Sequence, residues 1–177
     1  MNSTQILPAV AVAVAICAAI TDVNARRIPN RLTYSAMVAG LVLHAIVYGW
    51  KGLLLGIEGG LLFGGVFLLF YLIRAMGAGD VKLAAALGSI VGVSATLPVM
   101  LATAWAGAAL AICFMVVSGR VIETLRNTLW VTGFHAQHGL RVHPVVNLDN
   151  PAGVRMPYGI AFAVGTAYWA FSSGWWG

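Results

Sequence analysis

Two aspartates, Asp22 and Asp80, are the residues of this chain whose type and setting could do chemistry. Asp80 stands in the stretch Met76-Gly77-Ala78-Gly79-Asp80-Val81-Lys82, at the seam between two long apolar runs. A membrane protein poor in charge does not ordinarily hold a carboxylate beside its apolar segments without a use for it. Asp22 lies where the first apolar run ends, ahead of a basic turn, Arg26-Arg27-Ile28-Pro29-Asn30-Arg31. Two carboxyl groups facing each other cannot both ionise cheaply, so they share a proton. One then acts as base on a water while the other donates to a carbonyl oxygen, which hydrolyses a peptide without metal, thiol or serine. Gly77 and Gly79 would let an extended backbone come close and leave Asp80 uncrowded. The plainer reading makes Asp80 a cap for the helix that follows and pairs Asp22 with Arg26 one turn on. Lys82 could meet lipid headgroups, hold an acidic group of a substrate, or tune Asp80.

The elements that must carry these groups are apolar helices. Of the 177 residues 60% are hydrophobic and 8% charged, against about 25% charged in soluble domains, so the chain reads as an integral membrane protein. The expected fold is all-α, with about six transmembrane helices in a single unit, residues 1–177. The first run, Ile6 to Ile20, continues to about Ala25; Met1 to Gln5 holds no Lys or Arg, so it reads as a retained helix rather than a signal peptide. Pro29 breaks the chain and Asn30 caps the second helix, which runs from about Leu32 to Tyr48. Gly49-Trp50-Lys51-Gly52 is a turn. The third helix, Leu53 to about Ile73, holds Glu58 about one turn from its end, which reads as interfacial. The fourth starts near Asp80 or Val81, with Ser94 to Pro98 as the return, and the fifth runs from Val99 to Ser118. Residues 119–156 form a long polar loop, partly helical, because Val121, Ile122, Leu125, Leu129 and Trp130 make one apolar stripe. The last span runs from Pro157 to about Phe171, and Trp175-Trp176 form an interfacial belt.

Charge gives the orientation. The loops after the first, third and fifth spans carry Arg26, Arg27, Arg31, Arg74, Lys82, Arg120, Arg126, Arg141 and Arg155, which is 9 of the 10 basic residues; only Lys51 is opposite. Those loops are therefore expected in the cytoplasm and both termini outside. Asp22 and Asp80, 58 positions apart, then share the cytoplasmic depth. The net charge of +5 is explained by this rule rather than by nucleic acid. Cys17 and Cys113 read as buried, unpaired hydrophobes. His44 reads as a packed or interfacial histidine, and His135, His138 and His143 match no strong metal motif.

At this point the residues carry a resemblance. Asp22 ahead of Ile28-Pro29-Asn30, then Gly77-Ala78-Gly79-Asp80-Val81-Lys82, then Met156-Pro157-Tyr158-Gly159-Ile160-Ala161 resembles the prepilin peptidases. These are GxGD-type membrane aspartyl proteases that cut the leader from type IV pilin and pseudopilin precursors at the cytoplasmic face. The resemblance implies catalytic roles for Asp22 and Asp80, with Gly77, Gly79, Lys82, Pro29, Asn30, Pro157, Tyr158 and Gly159 as binding or supporting residues. It implies a multi-pass protein of the bacterial inner membrane, with no cofactor and no metal. Its partners would be prepilin substrates, lipid and pilus-assembly proteins. Larger members carry an extra cytoplasmic region with paired CxxC zinc motifs, associated with N-methylation; nothing here corresponds, so a peptidase without a methyltransferase domain is expected, similar to the compact enzymes of tight-adherence (Flp) pili. A small proton-coupled transporter or a scaffold of a pilus assembly are the competing classes.

Overall fold

Six helices make up the regular structure of the computed structural model, which describes residues 3–139, 141, 144 and 156–174. They are α1 (Ser3–Ala25), α2 (Asn30–Leu72), α3 (Ala78–Val91), α4 (Val93–Val117), α5 (Val121–His138) and α6 (Gly159–Ser172). The all-α expectation holds. Three helices, Gln5–Ala25, Asn30–Leu72 and Val93–Val117, are long and apolar enough to cross a membrane, and α6 is a shorter apolar helix. The Trp175-Trp176 belt and His143 lie outside the described residues.

Two of the joints are tighter than their sequences suggest. At 43 residues α2 would be about 65 Å long if straight, twice the thickness of a hydrocarbon core. It bends at Gly49 (φ 66°, ψ −152°) into limbs 30–48 and 50–72, so the expected four-residue turn shrinks to one glycine. The return between α3 and α4 is likewise Gly92 alone (φ 75°), not Ser94 to Pro98. Pro98 lies inside α4 as its sixth residue, one turn past the start, so the helix runs through it and forgoes the bond an N–H there would give to the Ser94 carbonyl. Both joints use the left-handed backbone that glycine adopts without a Cβ penalty.

Small residues hold α3 against α2. A Cβ built on Gly59 would strike the Gly88 carbonyl, and one built on Gly88 would strike the Gly59 carbonyl. A Cβ on Gly64 would stand 2.8 Å from Ala85 Cβ, and one on Gly40 2.9 Å from the Ile90 N. So α3 is seated against both limbs of α2 at backbone distance, the packing expected where dispersion rather than water exclusion joins helices. An aromatic group, Phe63, Phe67, Tyr158 and Phe162, ties the second limb to α6, with Phe67 and Phe162 centroids 5.1 Å apart. On α1, Ala11, Ala15 and Ala18 are fully buried at helical spacing. Asp22 is the next position on that stripe, which is how a carboxylate comes to face the bundle.

The cysteines correct an expectation. Cys17 and Cys113 are free but exposed on the outside of the bundle. In a membrane protein the outer surface is as apolar as the inside, so apolar character does not sort one from the other. His44 is buried, and its Nε2–H donates to the Ile90 carbonyl at 2.9 Å, closing the end of α3.

Candidate active site

Asp22 sits in the last turns of α1, which ends as Arg26 turns to positive φ (50°) while its N–H bonds the Asp22 carbonyl at 2.8 Å. The Asp22 side chain is buried, and its Oδ2 accepts the Gly159 N–H at 2.8 Å from the start of α6. That bond needs a glycine. A Cβ at position 159 would stand 3.0 Å from both Ala19 Cα and Asp22 Cβ. Pro157, buried just ahead, accepts the Ile160 N–H at 3.3 Å and helps to open the helix. Tyr158 lies over Gly107 of α4, where a Cβ would come within 2.6 Å of its hydroxyl.

Asp80 is placed differently from the sequence reading. α3 begins at Ala78, so Gly77 is the N-cap and Asp80 the third helical residue. The two bond reciprocally: the Asp80 N–H donates to the Gly77 carbonyl at 3.1 Å, and the Gly77 N–H donates to Asp80 Oδ2 at 3.2 Å. Capping therefore uses one carboxyl oxygen and not the other. Neither Asp22 Oδ1 nor Asp80 Oδ1 has a hydrogen-bond partner among the described residues. Asp80 stands in the first turn of α3, outside the three long spans. Burial pushes its carboxyl up to about 6; the Gly77 N–H offsets part of this, and the charge of Asp22 adds to it. The two carboxylates, 58 positions apart in sequence, thus lie within electrostatic reach of each other. Tyr158 belongs to the same group, since the Asp80 charge adds to the effect of burial in raising its phenol.

The supporting residues join the two segments. Asn30 is the first residue of α2 rather than its cap; Pro29 occupies the cap, and no side chain caps this end. The reason is a better partner: Asn30 Oδ1 accepts Lys82 Nζ at 2.9 Å. The same ammonium lies 5.5 Å over the Tyr34 ring, one turn along α2. Tyr34 escaped the sequence reading, although Asn30 and Tyr34 at i and i+4 must share a face. Gly79 packs on Ile28, whose Cβ would lie 3.4 Å from a Cβ there. So Ile28-Pro29-Asn30 and Gly79-Asp80-Val81-Lys82 form one corner. Beside it opens a pocket of about 420 Å³ lined by Thr21, Asn24, Ala25, Arg27, Pro29, Asn30 and Arg31. Lys82→Met and Asn30→Ala are each expected to lower stability modestly and to be non-additive, with a coupling of about 0.5–1 kcal/mol in thermal melts. Simple additivity would remove the link.

Other candidates lie apart. His135 Nδ1 and His138 Nδ1 bond backbone carbonyls one turn back in α5, at 2.8 and 3.1 Å. Among the described residues there is no group of three His, Cys, Asp or Glu side chains that could hold a metal ion.

A family model, Peptidase_A24, described as the type IV leader peptidase family, matches residues 9–112. The match includes Asp22, Asp80 and the corner between them, and stops short of Pro157, Tyr158 and Gly159. No curated protein and no solved structure matches the chain.

Proposed function

Because the chain belongs to the type IV leader peptidase family, we propose that it removes the leader from type IV prepilins or pseudopilins, of the tight-adherence (Flp) kind, using Asp22 and Asp80. One observation carries the reading: two carboxyl groups from opposite sides of the Pro29 corner come within electrostatic reach, each with one oxygen uncommitted. A water held between them would lose a proton to one while the other protonates the carbonyl oxygen of the scissile bond. The backbone donors Gly159 and Gly77 hold the two side chains in place.

The charge distribution supports six crossings, with both aspartates at the cytoplasmic face of the inner membrane and the termini opposite. The apolar helix of a precursor would then lie in the bilayer against the bundle and bring its scissile bond to that face. A helical peptide bond is shielded by its own hydrogen bonding, so a short stretch of the precursor must unwind first.

The test is leader removal. Membranes holding the full chain, mixed with a set of pilin precursors, are expected to shorten at least one by its leader; none shortened across Flp-type and other precursors would overturn the reading. With a cognate precursor, kcat/KM is expected to fall as pH rises through about 6, because a shared proton is lost as Asp80 ionises. A profile flat from pH 5 to 8 would remove Asp80 as the proton's holder.

A further inference from the structure

No residue of α5 (Val121–His138) is buried, so packing within the bundle does not account for this helix. At about 100° per residue, Val121, Leu125, Ala136, Leu129 and Ile122 fall within one arc of about 100°. Trp130, which sequence spacing places with them, lies about 80° beyond the edge of that arc. All five members are exposed, Ile122 at 83% and Leu129 at 74%. The half-buried residues of the helix, Asn127, Val131, Phe134 and His135, lie on the opposite side. The outward side of α5 is thus its leucine side, the reverse of a helix laid on a protein core in water.

The hydroxyls on that side ask nothing of water. Thr132, inside the arc, donates its Oγ1–H to the Thr128 carbonyl at 2.8 Å, and Thr128, about 20° from its edge, donates to the Thr124 carbonyl at 2.9 Å. Donors turned back onto their own helix are how hydroxyls are carried in apolar surroundings.

The course of the chain says what those surroundings are. α4 is long and apolar enough to cross a membrane, and its last residues, Val116 and Val117, are exposed. It closes on Gly119 (φ 67°), with the Gly119 N–H on the Val116 carbonyl at 3.1 Å and the Arg120 N–H on the Met115 carbonyl at 3.2 Å. This closure ends a helix and turns the chain. Val121 follows Val117 by four residues, so α5 starts within about 14 Å of the end of the span. Arg126 stands about 40° beyond Ile122, where its stem can lie on apolar surface while the guanidinium meets a headgroup phosphate.

We propose that α5 lies along the bilayer surface at the end of α4, with the arc of Val121, Leu125, Leu129 and Ile122 sunk among the acyl chains. Lipid is the occupant because the span itself delivers the helix to that surface, and sinking by about 5–10 Å covers an arc of this width.

The test places nitroxide labels on the full chain in phosphatidylcholine–phosphatidylglycerol vesicles. Cys17 and Cys113 are exposed, so Cys17→Ala with Cys113→Ala gives a background without native thiols. Single labelled cysteines then enter on the arc, as Leu125→Cys or Leu129→Cys, and away from it, as Glu123→Cys or His138→Cys. The readout is collision with oxygen, which concentrates in lipid, against collision with a nickel chelate confined to water. The oxygen-to-nickel ratio is expected to be several-fold higher at 125 and 129 than at 123 and 138. Equal ratios at all four positions would overturn the proposal. So would labels at 125 and 129 shielded from both reagents, because protein, a second copy included, would then cover the arc. Circular dichroism checks that the helices are kept, and two positions on each side keep the pattern readable if one disturbs α5. No precursor is present, so the outcome is independent of the peptidase reading.

Discussion

Asp80→Asn is expected to stop leader removal and yet to leave the chain at least as stable as wild type at pH 8. The amide cannot take or release the shared proton, so cleavage falls by about 10²–10⁴-fold or more. Its Oδ1 still accepts the Gly77 N–H, so the start of α3 is preserved. The stability effect follows from the raised pKa of Asp80. A carboxyl whose ordinary value is 3.8 and whose folded value is about 6 binds a proton more tightly when folded. Its contribution to stability is complete below 3.8, is lost between 3.8 and 6, and is absent above. Asn carries no such penalty, so the variant gains on wild type as pH rises through that window and levels off beyond it, by about 1–3 kcal/mol. Asp22→Asn should be equally inactive, with its amide oxygen still accepting the Gly159 N–H. Cleavage assays in membranes and thermal melts at pH 5 and 8 decide both points. Full activity in either variant sinks the pair, and an Asp80→Asn chain that melts earlier at pH 8 sinks the account of burial.

The second large effect is structural. Gly88→Val should separate α3 from the second limb of α2, because the added carbons would strike the Gly59 carbonyl and approach Phe63 Cβ, where even a lone Cβ would stand 3.0 Å away. Neither helix can yield locally, since Gly59 is itself pressed against Gly92 and Val93, with 2.8 and 2.9 Å to a Cβ there. Overpacking of this kind costs about 1–3 kcal/mol and more where backbone must move, so a loss of about 3 kcal/mol is expected, with cleavage lost as Asp80 is displaced. The contrast is Gly65→Ala on the same limb, which meets open space and should melt like wild type. A Gly88→Val chain that folds and cleaves normally would show that the α2–α3 contact does not hold the site.

Much of this was legible in the sequence, for reasons that differ by residue. The helices follow from long apolar runs broken at Pro29 and at Gly77. Asp22 and Asp80 stood out because charge is scarce. Gly49 and Gly92 were harder, because a joint made by one left-handed glycine leaves no run of turn residues to find. Pro98 misled for the opposite reason, since a proline usually marks a break and here the helix runs through it. The outward placement of Cys17 and Cys113 could not be read from composition where both faces are apolar. The Gly159 bond to Asp22 had no signature of its own, since a backbone N–H is carried by almost every residue. What the sequence did offer was a glycine at the start of the last apolar run, and the 2.8 Å bond explains why nothing larger serves there.

That bond also orders events during synthesis. Asp22 leaves the ribosome early, Asp80 later, and the N–H that holds Asp22 only 137 residues after Asp22 itself. A nascent chain with its first four helices threaded into the bilayer already carries both carboxyl groups, yet nothing fixes the first. On the proposed reading, hydrolytic competence comes in the last step of insertion, when α6 closes against α1.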